Sequence, residues 1–591
     1  MDRKPLYVLG LNEALCASAA LLRNGEIIAA ASEERFTGIK NHWGFPKHAT
    51  KFVCDFAGIT TRELDLVVLS YIDPYPHFTF NRAQERSEIA PEFLQKLRNT
   101  APGLEYKFPV LTPLSALLRR VYYLVYQPRN QLLQVQEIAR FLHIDQEKIM
   151  RMDHHLAHAY TAYFSNPGRS EKPTLILTCD GAGDNLCTSV FLVRNGSFKR
   201  IASTPHIHSL GLLYATVTSY LGLKAHEDEY KVMGLAPYAH KRDYSKIYDI
   251  FKNLIWVENL QFNSIIPSRH FGLYLEEELK RFRFDHIAGA LQAFTEDILV
   301  EWVRNAVQKT KIHNVAVSGG VFQNVKANQK IARLPQVREI FFMPSPADET
   351  NAIGAAYYGY KFEIRNSKFE IKPLTNLYLG PEYSQAEILK SLKGYPNLQV
   401  KKPKNLAKSV ARLLARGEIV ARLSGRMEFG TRALGNRSIL ADPRNQSVVE
   451  KINKMIKMRD FWMPFAPTIL ADCAHLYIKN PKNLDAPFMI LTFDTTPQGQ
   501  HELRAAIHPY DKTTRPQLLK KEDNPAYYYL IDEFRKITGV AALLNTSFNL
   551  HGEPIVCTPQ QALRVFTKSG LSYLVLKDLI IQKSSQNQPN N

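Results

Sequence analysis

The stretch MDHHLAHAYTAYF, residues 152–164, places three histidines within five positions. His154 and His158 stand four apart, so on a helix they share one face, and two imidazoles can bind one metal ion. Metalloprotease chemistry is not expected, because His155 occupies the place where the HExxH motif needs a glutamate. The spacing alone leaves a second interpretation open, in which the helix presents a solvated histidine face and no metal.

Two acidic residues elsewhere in the chain strengthen the metal interpretation. Asp180 ends an apolar, strand-like run in LTCDGAGDN, and Asp348 precedes a helix start of small residues in PADETNAIGAAYYG. With His154 and His158 they offer four nitrogen and oxygen ligands to one divalent ion.

Two glycine-containing turns follow predicted strands, one in LTCDGAGDN and one in SGGVFQN. Glycines there let the backbone approach an anion closely, although such turns are more often plain turn chemistry. The candidate residues for phosphate or nucleotide contact are Gly181, Gly183, Gly319, Gly320 and Asn324.

The elements that must position these residues belong to a large chain. At 591 residues two or more domains are expected, and a hydrophobic fraction of 45% with 22% charged residues is ordinary for a globular protein. No apolar run is long enough to span a membrane, and the start is predicted to be a strand-turn-strand rather than a targeting segment. Six scattered cysteines indicate a reduced, cytoplasmic protein.

The net charge of +19 raises nucleic acid as a partner, but the positive residues are dispersed among acids, so nucleic-acid binding is not expected. A homodimer is compatible with the sequence.

In residues 1–370 short apolar runs alternate with helical stretches, and two strand hairpins each carry an Asn-Gly turn. This pattern predicts a duplicated α/β body with a cleft between its halves. A second α/β unit is predicted from 375 to 583, and the polar residues 584–591 are predicted to be disordered.

The second unit carries cations within motifs rich in Gly, Phe and Pro, a context that disfavours plain surface arginines. Positioned cations of this kind stabilise transferring phosphoryl groups. No GxxxxGK[ST] or GxGxxG motif is present, so a nucleotide would need a site of another type. The candidate anion ligands are Arg432, Arg437, Lys457, Arg515, Asn545 and Ser547.

The chain contains several long, specific motifs. In the first unit these are HHLAHA, DGAGD, EYKVMGLAPYA, SGGVFQNVKAN and ADETNAIGAA; in the second they are GRMEFGTRALGNRSILADPR, PFAPTIL, HPYDKTTRPQ and LLNTSFNLHGEPIV. Together they resemble the NodU/CmcH family of ATP-dependent O-carbamoyltransferases. The resemblance implies an actin/sugar-kinase-like (ASKHA) amino-terminal domain and a YrdC-like carboxy-terminal domain. It also implies that the second domain makes carbamoyl adenylate from carbamoyl phosphate and ATP with Mg²⁺. The first would then pass the carbamoyl group to a hydroxyl at a metal centre, commonly Fe²⁺, held by His154, His158, Asp180 and Asp348.

Two departures from the family pattern bear on mechanism. Relatives carry a His-Asp pair in HDASAALL, where this chain reads LCASAALL, with Cys16 and Ala17 in roughly those places. A histidine base from that turn is therefore in doubt. Deprotonation of the acceptor hydroxyl could instead fall to the metal or to a carboxylate in HEDEYKVMG, of which Asp228 is preferred. Met463 stands where many relatives have arginine, which removes one phosphate contact.

The acceptor is predicted to be a hydroxyl of a small natural product. Glu227, Asp228 and Glu229 favour a cationic one, such as an aminoglycoside or a guanidinium toxin, although a solvated acidic loop is an equal alternative. Two other functions remain open: a threonylcarbamoyl transferase modifying tRNA, and a non-catalytic metal- and nucleotide-binding protein.

Overall fold

The computed structural model describes residues 4–73, 103–108, 110, 112–169, 172–363 and 370–583. The chain divides into two compact units. The first unit comprises residues 1–33 and 41–374, and the second comprises residues 34–40 and 375–591. The predicted disordered tail, 584–591, lies outside the described residues.

The first unit begins with a five-stranded mixed sheet in the order β3-β2-β1-β4-β5. β1 pairs antiparallel with β2 and parallel with β4, and β5 runs parallel to β4. Asn24 and Gly25, both at positive φ, turn the chain between β2 and β3, as the sequence predicts. The strands are β1 (Tyr7–Asn12), β2 (Ser18–Arg23), β3 (Glu26–Ser32), β4 (Leu66–Leu69) and β5 (Ile149–Arg151).

A second five-stranded sheet repeats this topology in the order β12-β11-β6-β7-β8, with a second Asn-Gly turn at Asn195 and Gly196. The registers correspond as well: Leu11 of β1 pairs with Leu69, as Thr178 of β6 pairs with Ser318. The duplicated α/β body predicted from the two hairpins is confirmed. The remaining strands of the unit are β6 (Thr174–Gly183), β7 (Leu186–Arg194), β8 (Ser197–Pro205), the separate pair β9 (Ile255–Glu258) and β10 (Gln261–Ser264), β11 (Asn314–Ser318) and β12 (Glu339–Phe342).

Helices connect these strands, and two of them, His154–Phe164 and Asn351–Glu363, pack against each other. The predicted amphipathic helix in IAGALQAFTEDILVEWVRNAVQ is confirmed as Phe284–Thr310, whose inward face includes the buried Trp302. The other helices are Lys47–Ala57, Thr112–Leu142, Leu210–Tyr220, Glu229–Leu235, Lys241–Leu254, Phe271–Leu279 and Val325–Ala332.

The second unit is built on an eight-stranded mixed sheet in the order β13-β22-β21-β14-β15-β20-β16-β19, with β17 and β18 forming a separate pair. Its strands are β13 (Leu398–Lys401), β14 (Val420–Leu423), β15 (Arg437–Ala441), β16 (Ala466–Leu470), β17 (Phe493–Asp494), β18 (Thr513–Thr514), β19 (Gln517–Leu519), β20 (Ala542–Ser547), β21 (Tyr573–Leu576) and β22 (Leu579–Lys583). Its helices are Glu34–Thr37, Gln385–Leu392, Leu406–Ala415, Ser447–Ile452, the π-helix Asn453–Lys457, Ala474–Tyr477, Pro497–Glu502, Pro525–Thr538 and Pro559–Lys568.

Residues 34–40 belong to the second unit although they lie between β3 and the helix Lys47–Ala57 of the first. A guanidinium nitrogen of Arg35 donates to the carbonyl of Gly430 at 2.7 Å. Phe36 packs on a buried apolar cluster of Met427, Ala433, Ile555 and Cys557. The second unit is therefore assembled from two separate parts of the sequence.

All six cysteines lie in the described residues, and none forms a disulfide. In the part of the chain that the structure describes, no helix has the length and apolar character needed to cross a membrane.

Candidate metal centre and anion site

The helix His154–Phe164 supplies the two predicted histidine ligands. Asp153 caps its amino terminus by accepting a hydrogen bond from the backbone N–H of Leu156 at 2.8 Å. His154 and His158 are completely buried and lie on one face of the helix, so the solvated-face alternative is wrong.

Asp180 lies near the carboxyl end of β6, and Asp348 lies just before the helix Asn351–Glu363. Close packing of that helix on the histidine helix brings Asp348 to the histidines. A Cβ on Gly354 would lie 2.1 Å from the carbonyl oxygen of Ala157, so only glycine permits this approach.

The four side chains converge on one point. Their ligand atoms all lie within 4.8 Å of one another. His158 Nε2 is 3.1 Å from Asp180 Oδ2 and 3.3 Å from Asp348 Oδ1, and the corresponding distances from His154 Nε2 are 3.5 and 3.7 Å. The ligand set implied by the resemblance is thus a spatial cluster.

The two carboxylates differ in electrostatic environment. Burial raises the pKa of Asp180, but its close contacts with the imidazoles of His154 and His158 outweigh burial and hold that pKa well below its ordinary value. Burial and the neighbouring charge of Asp180 raise the pKa of Asp348 well above its ordinary value. Two acids this close repel each other unless a proton or a cation lies between them.

The cluster fits a divalent metal ion. His154 Nε2 and Asp348 Oδ1 are buried and make no hydrogen bond to any described residue. Buried polar atoms without hydrogen-bond partners are rare in native proteins, and here both such atoms belong to the same four-ligand cluster. Imidazole and carboxylate donors of this number suit a transition-metal ion or zinc.

His155 lies outside the four-ligand cluster. Its Nδ1 is 2.9 Å from Thr178 Oγ1, and burial together with the charges of His154 and His158 lowers its pKa well below the ordinary value. It is a buried neutral imidazole beside the centre.

Two residues that the sequence argument missed hold the ligands in place. The hydroxyl of Tyr71 donates to Asp348 Oδ2 at 3.0 Å, and its ring lies 4.5 Å from that of His154. The Nδ2 atom of Asn351 lies 3.3 Å from His154 Nδ1 and 3.2 Å from His158 Nε2. Asn351 stands inside the motif ADETNAIGAA, whereas no motif marks Tyr71.

The predicted glycine turns lie against the metal-ligand candidates. A Cβ on Gly183 would be 2.0 Å from the ring of His154, and one on Gly320 would be 3.0 Å from Asp180 Oδ1. Gly319 has φ +105° and donates its N–H to the carbonyl of Pro346. Gly181 has no heavy atom closer than 3.7 Å to its would-be Cβ. These glycines make room for ligand side chains, and their contact with a nucleotide stays a prediction.

Asn324, the remaining residue of that prediction, has structural partners. Its Oδ1 caps the helix Val325–Ala332 by accepting from the N–H of Ala327, and its side-chain amide exchanges hydrogen bonds with that of Gln292.

The altered first-strand turn places Cys16 at φ +57°, with Sγ 3.8 Å from Asn41 Oδ1. Compared letter by letter, HDASAALL and LCASAALL set Leu15 and Cys16, rather than Cys16 and Ala17, opposite the His-Asp pair. Either alignment leaves no histidine in this turn.

Asp228 precedes the helix Glu229–Leu235. Its carboxylate lies 3.3 Å from Lys231 Nζ and accepts from the backbone N–H of Lys224. Glu227 pairs with Lys224, so the loop carries less net negative charge than its acids alone suggest.

In the second unit, Lys457 ends the π-helix Asn453–Lys457 and is buried. Its Nζ donates to Ser547 Oγ at 3.1 Å and to Asn549 Oδ1 at 2.6 Å. Burial and the charge of Arg459 lower the pKa of Lys457 well below its ordinary value. No acid among the described residues forms an ion pair with it.

Arg515 is half-buried near two other arginines. Burial, Arg432 and Arg459 lower its pKa well below the ordinary value. Within the described ranges no carboxylate pairs with Arg515. A partly buried cation that is repelled by neighbouring arginines is costly, and an anion bound to Arg515 would relieve that cost.

Arg437 and Asn545 serve the fold of this site. The fully buried guanidinium of Arg437 donates to backbone carbonyls, including those of Pro381 and Gly425 at 3.0 and 3.2 Å. Asn545 donates to the carbonyl of Ala433. Met463 is buried.

Glu428, which the sequence argument missed, organises the loop between Gly430 and Arg437. Its Oε1 accepts from the backbone N–H groups of Leu434, Asn436 and Arg437 at 2.8, 2.7 and 3.1 Å. Glu428 thereby holds the loop that carries Arg432.

One unit thus carries a four-ligand cluster that fits a metal ion, and the other carries two cations, Lys457 and Arg515, with no acid partner among the described residues. The family model for the carbamoyltransferase N-terminus matches residues 8–357, and that for the carbamoyltransferase C-terminus matches residues 411–583. The chain belongs to the carbamoyltransferase family and is a transferase, and its resemblance to the NodU/CmcH enzymes is confirmed.

Similar proteins cover most of the chain. An uncharacterized protein of Synechocystis sp. is 32% identical over 97% of this chain and 96% of its own. Nodulation protein NolNO of Sinorhizobium fredii is 31% identical over 96% of this chain and 78% of that protein. Component A of (R)-2-hydroxyglutaryl-CoA dehydratase from Acidaminococcus fermentans, a solved structure, is 15% identical with a TM-score of 0.32, covering 61% of this chain and 100% of that one.

Proposed function

We propose that this protein is an ATP-dependent O-carbamoyltransferase. The second unit makes carbamoyl adenylate from carbamoyl phosphate and ATP, and the first transfers the carbamoyl group to a hydroxyl of a small natural product. The observation that carries the proposal is a pair of cations, the buried Lys457 and the half-buried Arg515, with no acid partner among the described residues. We further propose that the first unit is actin/sugar-kinase-like and the second YrdC-like.

The proposed reaction has two steps: activation of the carbamoyl group as an adenylate, and its transfer to the acceptor. Carbamoyl phosphate and water give carbamate and phosphate, and a carbamate oxygen then attacks the α-phosphorus of ATP and releases pyrophosphate. In the second step the acceptor oxygen attacks the carbamoyl carbon, and AMP leaves with the electron pair of the broken C–O bond. The hydroxyl proton passes to a base.

In the second unit the cations hold the transferring groups. Lys457, fixed by Ser547 and Asn549, and Arg515, beside Arg432, meet negative charge that grows on the phosphoryl oxygens. Arg437 and Asn545 keep the backbone of this site in place. Met463 contributes no charge, so these neighbours carry the electrostatic role alone.

In the first unit His154, His158, Asp180 and Asp348 would hold a divalent ion, with Fe²⁺ the first to test. When bound, such an ion supplies positive charge that stabilises charge developing on oxygen during acyl transfer. Asp228 is the proposed proton acceptor, and its partner Lys231 keeps the carboxylate in one orientation. Because two of the three loop acids contact lysines, the cationic acceptors, an aminoglycoside or a guanidinium toxin, are simply the first class to assay.

Pyrophosphate release from ATP tests this proposal without knowledge of the acceptor. Release from the wild-type protein should require carbamoyl phosphate, and Arg515→Ala should reduce it at least a hundredfold. His154→Ala is the matched control, which should lose metal and transfer but keep release. Release that requires threonine and bicarbonate instead would move the protein to the tRNA-modifying class.

A further inference from the structure

The β6–β7 turn lies directly on the metal cluster. Gly183 faces the ring of His154, and Asp184 and Asn185 follow at φ +46° and +64°, which folds the chain back within two residues. Asn185 Nδ2 donates to Asp73 Oδ2 at 3.0 Å, so the turn is also tied to the segment that follows β4.

Asp184 links two elements through its carboxylate. Its Oδ2 accepts the backbone N–H of His154 at 2.7 Å and that of Ile72 at 3.1 Å, and its Oδ1 accepts the N–H of Asp73 at 2.9 Å. The first donor begins the histidine helix, and the other two belong to the segment after β4. One side chain therefore fixes the distance between these elements.

Each element carries part of the metal cluster. The histidine helix carries His154 itself, and the segment after β4 carries Tyr71, whose hydroxyl donates to Asp348 and whose ring lies beside that of His154. A shift of either element would change the 3.7 Å separation of His154 Nε2 and Asp348 Oδ1, two buried atoms that make no hydrogen bond within the described residues.

We propose that Asp184 is a positioning residue of the metal centre, which sets the placement of His154 relative to Asp348. This inference rests on the metal centre of the proposed function. Groups that orient metal ligands typically contribute ten- to a hundredfold in metal affinity. Asp184 acts through backbone N–H groups and through Tyr71, not as a ligand.

The test compares Asp184→Ala with Asp153→Ala in the full-length protein, using Co²⁺ as the probe. Both aspartates accept a backbone N–H in the first turn of the same helix, but only Asp184 also bonds to the segment after β4. Asp184→Ala should weaken Co²⁺ binding at least tenfold and alter the visible d–d absorption of the bound ion. Asp153→Ala should leave the Co²⁺ affinity within about threefold of the wild-type value. Its thermal stability should fall about as much as that of Asp184→Ala, because each variant loses one acceptor for a backbone N–H in the first turn of the helix.

Asp184→Asn adds an intermediate case, because its single amide oxygen can replace only one carboxylate oxygen. The Co²⁺ affinity of Asp184→Asn should lie between those of wild type and Asp184→Ala. Pyrophosphate release should be unchanged in Asp184→Ala, Asp184→Asn and Asp153→Ala. Equal losses of affinity in Asp184→Ala and Asp153→Ala would overturn the positioning role and leave only helix capping. Absence of Co²⁺ binding by the wild-type protein would overturn the metal centre itself, a distinguishable result.

Discussion

Glu13 lies directly after β1 at 5% exposure, and neither carboxylate oxygen has a hydrogen-bond partner among the described residues. The strand registers place it where Asp180 stands in the second sheet, two residues after Leu11 as Asp180 is two after Thr178. Burial raises the pKa of Glu13 from 4.5 to about 7. The positive charge of Arg151 opposes this shift, and the negative charge of Asp184 adds to it. Each sheet thus carries an acid at the same position near the carboxyl end of its first strand.

This pKa predicts a pH dependence of stability. The folded state holds the Glu13 proton more tightly than the unfolded chain, so its contribution is intact below pH 4.5 and is lost as the pH rises through 7. At about 1.4 kcal/mol per pKa unit the loss is roughly 3 kcal/mol. Glu13→Gln should therefore raise the urea midpoint of the first unit at pH 8 relative to wild type and change it little at pH 4.5.

The matched control is Glu301→Gln, a change at an exposed glutamate of the helix Phe284–Thr310. If Glu13→Gln shifted the urea midpoint equally at pH 4.5 and pH 8, the raised pKa of Glu13 would be wrong.

Lys457 illustrates a conflict between stability and activity. A buried cation with neutral partners is costly, so Lys457→Met should raise the thermal stability of the second unit, by on the order of 1 kcal/mol. Pyrophosphate release should fall at least a hundredfold, because the positive charge is lost. Lys454→Met, at an exposed position of the same π-helix, should change neither quantity. If Lys457→Met kept the wild-type rate of pyrophosphate release, Lys457 would not be part of the anion site.

At the scale of elements, the β6–β7 turn allows a paired test. Gly183→Ala would place a methyl group 2.0 Å from the ring of His154, so the histidine must move and Co²⁺ affinity should fall at least tenfold. Gly181→Ala meets nothing closer than 3.7 Å and should bind Co²⁺ like wild type. Isothermal titration of both variants measures the difference, and comparable losses would mean that the turn responds to any added methyl group.

Much of the fold was predictable at this scale because local chemistry determines it. The Asn-Gly pairs at 24–25 and 195–196 adopt the positive φ angles of hairpin turns, and periodic apolar spacing marks the helix Phe284–Thr310. The π-helix that ends at Lys457 was not predictable, since a single turn of i→i+5 hydrogen bonds leaves no periodic pattern in five residues.

The site was predictable only in part. Spacing places His154 and His158 on one face, but nothing local connects them to Asp348, nearly two hundred residues away. Ligand chemistry suggested that link, and the family resemblance supported it. Asp184 and Asn351 stand inside recognisable motifs, whereas Tyr71 and Glu13 become visible only when the parallel strands end at a common edge.

For the whole molecule, the composition of the second unit predicts the outcome of truncation. A fragment of residues 375–583 lacks Arg35 and Phe36 and leaves the apolar cluster around Met427 uncovered. The fragment should melt well below the second unit of the full chain. In the full chain, Phe36→Ala should cost about 1–2 kcal/mol, because the ring is only partly buried.

Differential scanning calorimetry of the fragment, with and without residues 34–40 joined through a flexible linker, measures this contribution. Recovery of the melting temperature on adding the segment is the expected result. Equal melting with and without it would show that the segment contributes no stability.

The split origin of the second unit also limits how such enzymes can be recombined. A chimera that exchanges everything after residue 374 between two relatives would set the 34–40 segment of one parent against the Gly430 loop of the other. The two parts must therefore diverge together, although more than three hundred residues separate them in the gene. Joining the first unit of one relative to the second unit of another therefore requires an exchange at two places, in which residues 34–40 are exchanged together with the carboxy-terminal part.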